Sequence, residues 1–211
     1  IPAPSLQFNS QLGSYALGQE VRGWREHEVS QLQMTFTKAF AQVLGADQLA
    51  MVAEIGATEV WDLPAASELR YEGEGTDTGG GCDVGDSVAA GFPGAGALLF
   101  GCMRNPQTLN GGFPTAFSWG YRLAARADYS SVFGTPFTVS PRVAFNHDVK
   151  GITPGPGGNF LEGRKSLTLG VEANYLQKWV FDLSYTAFSG AEQYNQIHDR
   201  DFAAFTVKYS F

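Results

Sequence analysis

Apolar and polar side chains alternate with a period of two along most of this chain. From Ser30 to Phe40, Leu32, Met34, Phe36, Lys38 and Phe40 share one side while Gln31, Gln33, Thr35 and Thr37 share the other. Successive Cβ atoms of an extended chain point to opposite faces, so this pattern predicts a strand with two unlike surroundings. A second strand is expected from Gln48 to Trp61, with Leu49, Met51, Ala53, Ile55 and Ala57 opposite Gln48, Glu54 and Thr58. The clearest runs from Thr115 to Tyr129, where Phe117, Trp119, Tyr121, Leu123, Ala125 and Ala127 oppose Ser118, Gly120, Arg122, Ala124, Arg126 and Asp128. The same rhythm recurs at Phe137–Asn146, Ser166–Tyr175, Trp179–Thr186 and Ala203–Phe211, which makes seven strands. Leu6, Phe8 and Leu12 alternate with Gln7, Asn9 and Gln11, offering an eighth between Ser5 and Gly13.

Alternation alone fits a soluble sandwich with one wet face as well as a transmembrane barrel. Four features favour the barrel. Aromatic rings stud the apolar face near strand ends (Trp61, Phe117, Trp119, Tyr175, Trp179, Tyr185, Phe211), where amphipathic rings settle at a bilayer interface. Glu54, Arg122, Arg126, Arg142, Glu172, Asp182 and Lys208 fall on the opposite face, as side chains of a polar lumen would, while the exceptions Lys38 and Glu59 sit near strand ends. Connections alternate between short (Ala41 to Asp47, Ser130 to Pro136, Gln177 to Lys178) and long (Asp62 to Pro114, His147 to Lys165, Ser189 to Arg200). Transmembrane barrels sort their turns and loops in that way, with the long ones outside the cell. Finally, Phe205, Val207, Tyr209 and Phe211 end the chain in the manner of the C-terminal strand that the outer-membrane assembly machinery recognises.

The expected fold is therefore all-β, an antiparallel transmembrane β-barrel spanning residues 1–211 with seven to eight strands. Hydrocarbon cannot satisfy the edge amides of an open sheet, so the wall must close. A count of eight closes a small barrel; otherwise the chain is part of a larger one.

Composition narrows the classes further. The 211 residues carry 14 basic and 21 acidic side chains, a net charge of −7, which gives no basic excess to neutralise a phosphate backbone and argues against nucleic-acid binding. With 16 Phe, 8 Tyr and 4 Trp the chain has ample surface to bury and does not read as disordered. No run approaches the roughly 18 apolar residues of a membrane-spanning helix. Cys82 and Cys102, in the long segment 62–114, lack histidines at ligand spacing; a loop-closing disulfide in an oxidising compartment is the better reading than a zinc site. The start Ile1-Pro2-Ala3-Pro4 has neither a charged nor an apolar signal region, so an export signal would already be gone or the chain begins inside a longer precursor.

Several motifs also look familiar in order. Gly23-Trp24-Arg25 with Glu28-Val29-Ser30-Gln31, Leu44 to Leu49, Trp119 to Leu123, His147-Asp148-Val149 with Thr153 to Phe160, and Asp199 to Phe202 followed by Tyr209-Ser210-Phe211 resemble the C-terminal region of the DUF1302 family of proteobacterial outer-membrane proteins. Members are much longer, so the resemblance implies the C-terminal portion of a larger barrel. It further implies a channel or transport-associated role, serving hydrophobic compounds, with no catalytic residues to carry over.

The charged set Glu54, Arg122, Arg126, Arg142, Glu172, Asp182 and Lys208 has two readings: a constriction that selects solutes by charge and size, or paired charges that fill a narrow interior. Strand register, which the sequence does not supply, separates them. Glu72, Glu74, Asp77, Asp83 and Asp86 match no calcium-loop spacing and read as a solvated loop. Pro154 to Gly158 serves either as a lid folded into the lumen or as a rigid turn series. His147-Asp148 and His198-Asp199 lie at strand ends on opposite parities and lack a nucleophile signature. No enzyme activity, cofactor or metal is expected. The expected location is the bacterial outer membrane, with lipid and lipopolysaccharide, the barrel-assembly machinery and an inner-membrane transport protein as partners. The function expected is passage of small solutes; the alternatives are a rim hydrolase and a structural or adhesive barrel.

Overall fold

The structure is a computed structural model and describes residues 16–66, 68–69, 71–74 and 111–211. Seven strands form one antiparallel sheet in chain order: β1 (Val29–Ala41), β2 (Gln48–Val60), β3 (Phe117–Asp128), β4 (Phe137–Lys150), β5 (Lys165–Tyr175), β6 (Trp179–Ser189) and β7 (Phe202–Tyr209). Each strand pairs only with its neighbours in sequence, and among the described residues β1 and β7 have no strand on their outer edges. The sheet is thus open. The segment Ser5 to Gly13, read as an eighth strand, and the Cys82–Cys102 pair lie outside the described residues.

Register keeps each alternating set on one face across the whole sheet. Leu32 stands opposite Ala57, Ala57 opposite Trp119, Leu123 opposite Phe145, Phe145 opposite Leu167, Leu169 opposite Tyr185, and Leu183 opposite Phe205. This apolar face is the exposed one. Phe36, Leu169 and Phe205 are 59%, 53% and 65% exposed, whereas Ser118, Ser140 and Thr58 on the polar face are 1%, 1% and 3% exposed. A sandwich in water would bury the first set and wet the second; here the amphipathicity is reversed.

Short connections at one end of the sheet take left-handed backbone. Leu176 and Gln177, at φ 52° and 57°, reverse the chain between β5 and β6, two positions at which such hairpins favour Asn-Gly. The long connections 61–116, 151–164 and 190–201 lie at the other end.

One expected boundary moves. β4 continues past Asn146 to Lys150, so His147 and Asp148 lie within the sheet and not in the connection. Both residues keep the alternation: His147 stands edge-on to Tyr121 on the apolar side (centroids 5.5 Å apart), and Asp148 is buried on the polar side. The polar pair reads as loop because its partners, Tyr121 and the connection beyond β4, come from distant sequence. Trp119 pairs with Lys150 and Gly120 with Asp148, leaving Val149 as the extra residue of a bulge that bends the strand end.

Candidate functional site

The polar face carries a ladder of ion pairs that skip strands. Arg126 on β3 reaches over β4 to Glu172 on β5 at 3.0 Å and also holds Asp128 at 2.9 Å. Ser140, from the strand between, donates its hydroxyl to Asp128 at 2.6 Å. Arg142 on β4 reaches over β5 to Asp182 on β6 with two bonds, at 2.5 and 2.8 Å, the fork geometry that suits guanidinium and carboxylate. What makes that reach available is Gly170, the β5 residue opposite Arg142: a Cβ there would stand 2.7 Å from the guanidinium carbon.

Gly170→Val should therefore push Arg142 off Asp182. Both partners keep some solvent contact, so the expected cost is about 1–2 kcal/mol. In an Asp182→Ala background the same substitution should cost little more, because the interaction it breaks is already gone. Denaturant unfolding of the four members of that cycle in detergent checks the coupling.

Segment 151–164 folds back over the polar face at the long-loop end. Gly151, at φ 80°, turns the chain there, and a Cβ in its place would collide with the Phe117 carbonyl. Phe160 then settles on two glycines that face each other across β2 and β3. Its ring comes within 3.2 Å of where a Gly56 Cβ would stand and 3.1 Å of where a Gly120 Cβ would. Leu161 is fully buried, and its amide donates to the Asp148 carboxylate at 3.1 Å. Arg164 donates to the same carboxylate at 2.7 Å and to Glu74 at 2.7 Å, tying the segment to the first part of the connection that follows β2. Pro154 to Gly158 takes no part in these contacts: Gly155, Pro156 and Gly157 are exposed, and the Gly155 amide donates to the Glu72 carbonyl at 2.9 Å.

Between this segment and the sheet lies a cleft of about 200 Å³, bordered by Gln31, Gln33, Glu54, Arg122, Asn159 and Phe160. Glu54 accepts from the Gln33 amide at 2.9 Å and from the Thr35 hydroxyl at 3.3 Å, both on β1. Arg122 stands directly opposite Glu54 yet forms no ion pair among the described residues.

All seven charged residues singled out from the sequence share this face. The structure brings Arg126, Arg142, Glu172 and Asp182 into pairs, sets Glu54 and Arg122 on one cleft without joining them, and leaves Lys208 without an ion pair among the described residues. Gly170, Phe160, Leu161 and Arg164 were not singled out as site residues, and Asp148 was weighed only together with His147; Phe160-Leu161 is an apolar pair isolated in a Gly- and Pro-rich stretch. The histidines stay apart: His147 lies beside Tyr121 and Phe145 on the apolar face, and His198 contacts the Asn195 carbonyl at 2.8 Å. At the same end Asp201 accepts from the Phe188 amide and the Tyr185 hydroxyl, each at 2.8 Å, and these bonds hold its carboxyl below the usual carboxylate range. Glu72 and Glu74 do not join a metal-holding cluster among the described residues, and Asp77, Asp83 and Asp86 fall outside them.

An open antiparallel meander that turns its greasy side outward and pairs its charges on the other defines an all-β protein of inverted amphipathicity. The chain belongs to the DUF1302 family, described as a protein of unknown function, which it matches over residues 2–211. Comparison with curated proteins and with solved structures gives no match.

Proposed function

We propose that this chain is part of the wall of an outer-membrane β-barrel whose polar face lines a passage for small solutes. The observation that carries this reading is the exposure of the apolar face beside a buried polar one. In water, a row of exposed apolar side chains across seven strands, among them Leu32, Ile55, Leu123, Val143, Leu169, Leu183 and Phe205, costs free energy at every position, and lipid removes that cost. Further strands, on this reading, complete the wall beyond β1 and β7, whose outer edges carry no strand among the described residues, since hydrocarbon cannot satisfy open edge amides. On this reading lipid and lipopolysaccharide cover the apolar face. The assembly machinery takes up the strand ending Phe205, Val207, Tyr209 and Phe211, and an inner-membrane transport protein hands solute to or from the short-loop end. The inward segment 151–164 narrows the passage, the cleft beside it presents Glu54 and Arg122 to solutes, and the paired ladder braces the wall. Hydrophobic solutes, which the family resemblance suggested, would have to pass the Phe160 ring.

The test is made on the full-length protein. It should fractionate with outer membranes, run as a compact band that shifts on boiling, and conduct ions in planar bilayers. A band that does not move on boiling, together with recovery in the soluble fraction, would exclude the barrel. A heat-modifiable protein that passes no current would favour a structural or adhesive role over passage.

A further inference from the structure

Arg122 and Glu54 are directly opposed on neighbouring strands and carry opposite charges, an arrangement that ordinarily yields a cross-strand ion pair. Here they are kept apart. Glu54 is turned toward β1 by Gln33 and Thr35, while Arg126, Arg142 and the loop residue Arg164 each hold a carboxylate and Arg122 holds none among the described residues. Both poles, without an ion pair among the described residues, border the same cleft, whose wall carries the Phe160 ring packed over Gly56 and Gly120. Asp148 also borders the cleft, but Arg164 neutralises it at 2.7 Å.

We propose that this cleft binds small zwitterions with an apolar body, of the chemical class of α-amino acids with apolar side chains. The proposal rests on the reading of the polar face as a solute passage and names what that passage selects. A simple anion would meet Glu54 and a simple cation would meet Arg122, each with a repulsion that offsets the attraction. A molecule with both poles satisfies both. The guanidinium fork takes a carboxylate through two bonds, and Glu54 takes an ammonium. The Phe160 ring, packed over Gly56 and Gly120, presents its other side to the apolar body. A volume of about 200 Å³, below the roughly 300–1,000 Å³ that holds a drug-sized ligand, limits the occupant to amino-acid size.

The test measures equilibrium binding of three probes to the full-length protein in detergent micelles: L-phenylalanine, N-acetyl-L-phenylalanine, which lacks the ammonium, and phenethylamine, which lacks the carboxylate. L-Phenylalanine should bind about tenfold more tightly than either, a charge-assisted bond being lost with each pole. Arg122→Gln should level L-phenylalanine with phenethylamine, and Glu54→Gln should level it with the N-acetyl compound, in variants that keep the heat-modifiable band. Equal binding of all three probes by the unaltered protein overturns the proposal without recourse to any variant. N-Acetyl-L-phenylalanine binding as tightly as L-phenylalanine also overturns it, leaving a carboxylate site only. Current through bilayers is recorded in parallel. Current without selective binding refutes this inference and leaves the passage standing; selective binding without current supports the site and refutes the passage.

Discussion

Leu169→Arg should prevent or strongly impair assembly into a lipid bilayer, at a cost of about 2–4 kcal/mol for a cationic side chain near the membrane midplane. The position discriminates because Leu169 is 53% exposed and sits mid-strand on β5. In water, an exposed Leu replaced by Arg shifts stability by no more than about 0.5 kcal/mol, and the substitution would then be nearly silent. The large cost appears only if hydrocarbon bathes that face. The adjacent residue provides the control. Thr168 points to the polar face and shares a hydrogen bond with Thr186 at 2.9 Å. Thr168→Arg should lose that bond, about 1 kcal/mol, and otherwise alter permeation more than folding. Folding yield into vesicles and denaturant unfolding of both variants decide the matter; equal disruption by the two substitutions would mean that the faces have been assigned to the wrong surroundings.

The second large effect is expected at Asp148. Its carboxylate accepts from the buried Leu161 amide at 3.1 Å and from Arg164 at 2.7 Å, so one side chain holds both the apolar tip and the basic end of the inward segment. Asp148→Ala would orphan a buried amide and leave Arg164 with Glu74 and the Asn159 carbonyl, a local cost of about 2–3 kcal/mol. Backbone bonds between Asp148 and residues 163–164 would persist, so the sheet should still form. The expected result is a segment 151–164 that is cut more readily by protease and a larger single-channel conductance. Asp148→Asn, which retains an acceptor without the charge, should fall between. Unchanged proteolysis in Asp148→Ala would show that the Phe160 contacts with Gly56 and Gly120 hold the segment without the clamp.

On the proposed reading, the two clusters on the polar face divide the work between stiffness and selection. Arg126 and Arg142 each tie strands two apart, which braces the curvature of the sheet while cancelling their charge against Glu172 and Asp182. Arg122 differs because its nearest carboxylate is engaged elsewhere. A solute would, on the proposed reading, meet Glu54 and Arg122 at the level of the inward segment, on the same border as the Phe160 ring.

What the sequence determined by itself is local in origin. Alternation places successive side chains on opposite faces whatever the rest of the chain does, so the seven strands, the shared face of Leu169 and Phe205, and the common side of Arg122 and Glu172 were legible from it. Loop lengths were legible for the same reason, except where His147-Asp148 disguised the end of β4. Tertiary structure alone decided which charges meet. Arg142 finds Asp182, forty residues on, because register sets Gly170 between them; Arg122 misses Glu54, its direct neighbour, because Gln33 and Thr35 reach that carboxylate first. The inward course of residues 151–164 likewise depends on a glycine pair contributed by two distant strands. Side-chain reach across a sheet is a property of strand order and register, and a period-two pattern reads the same in every register that keeps its faces.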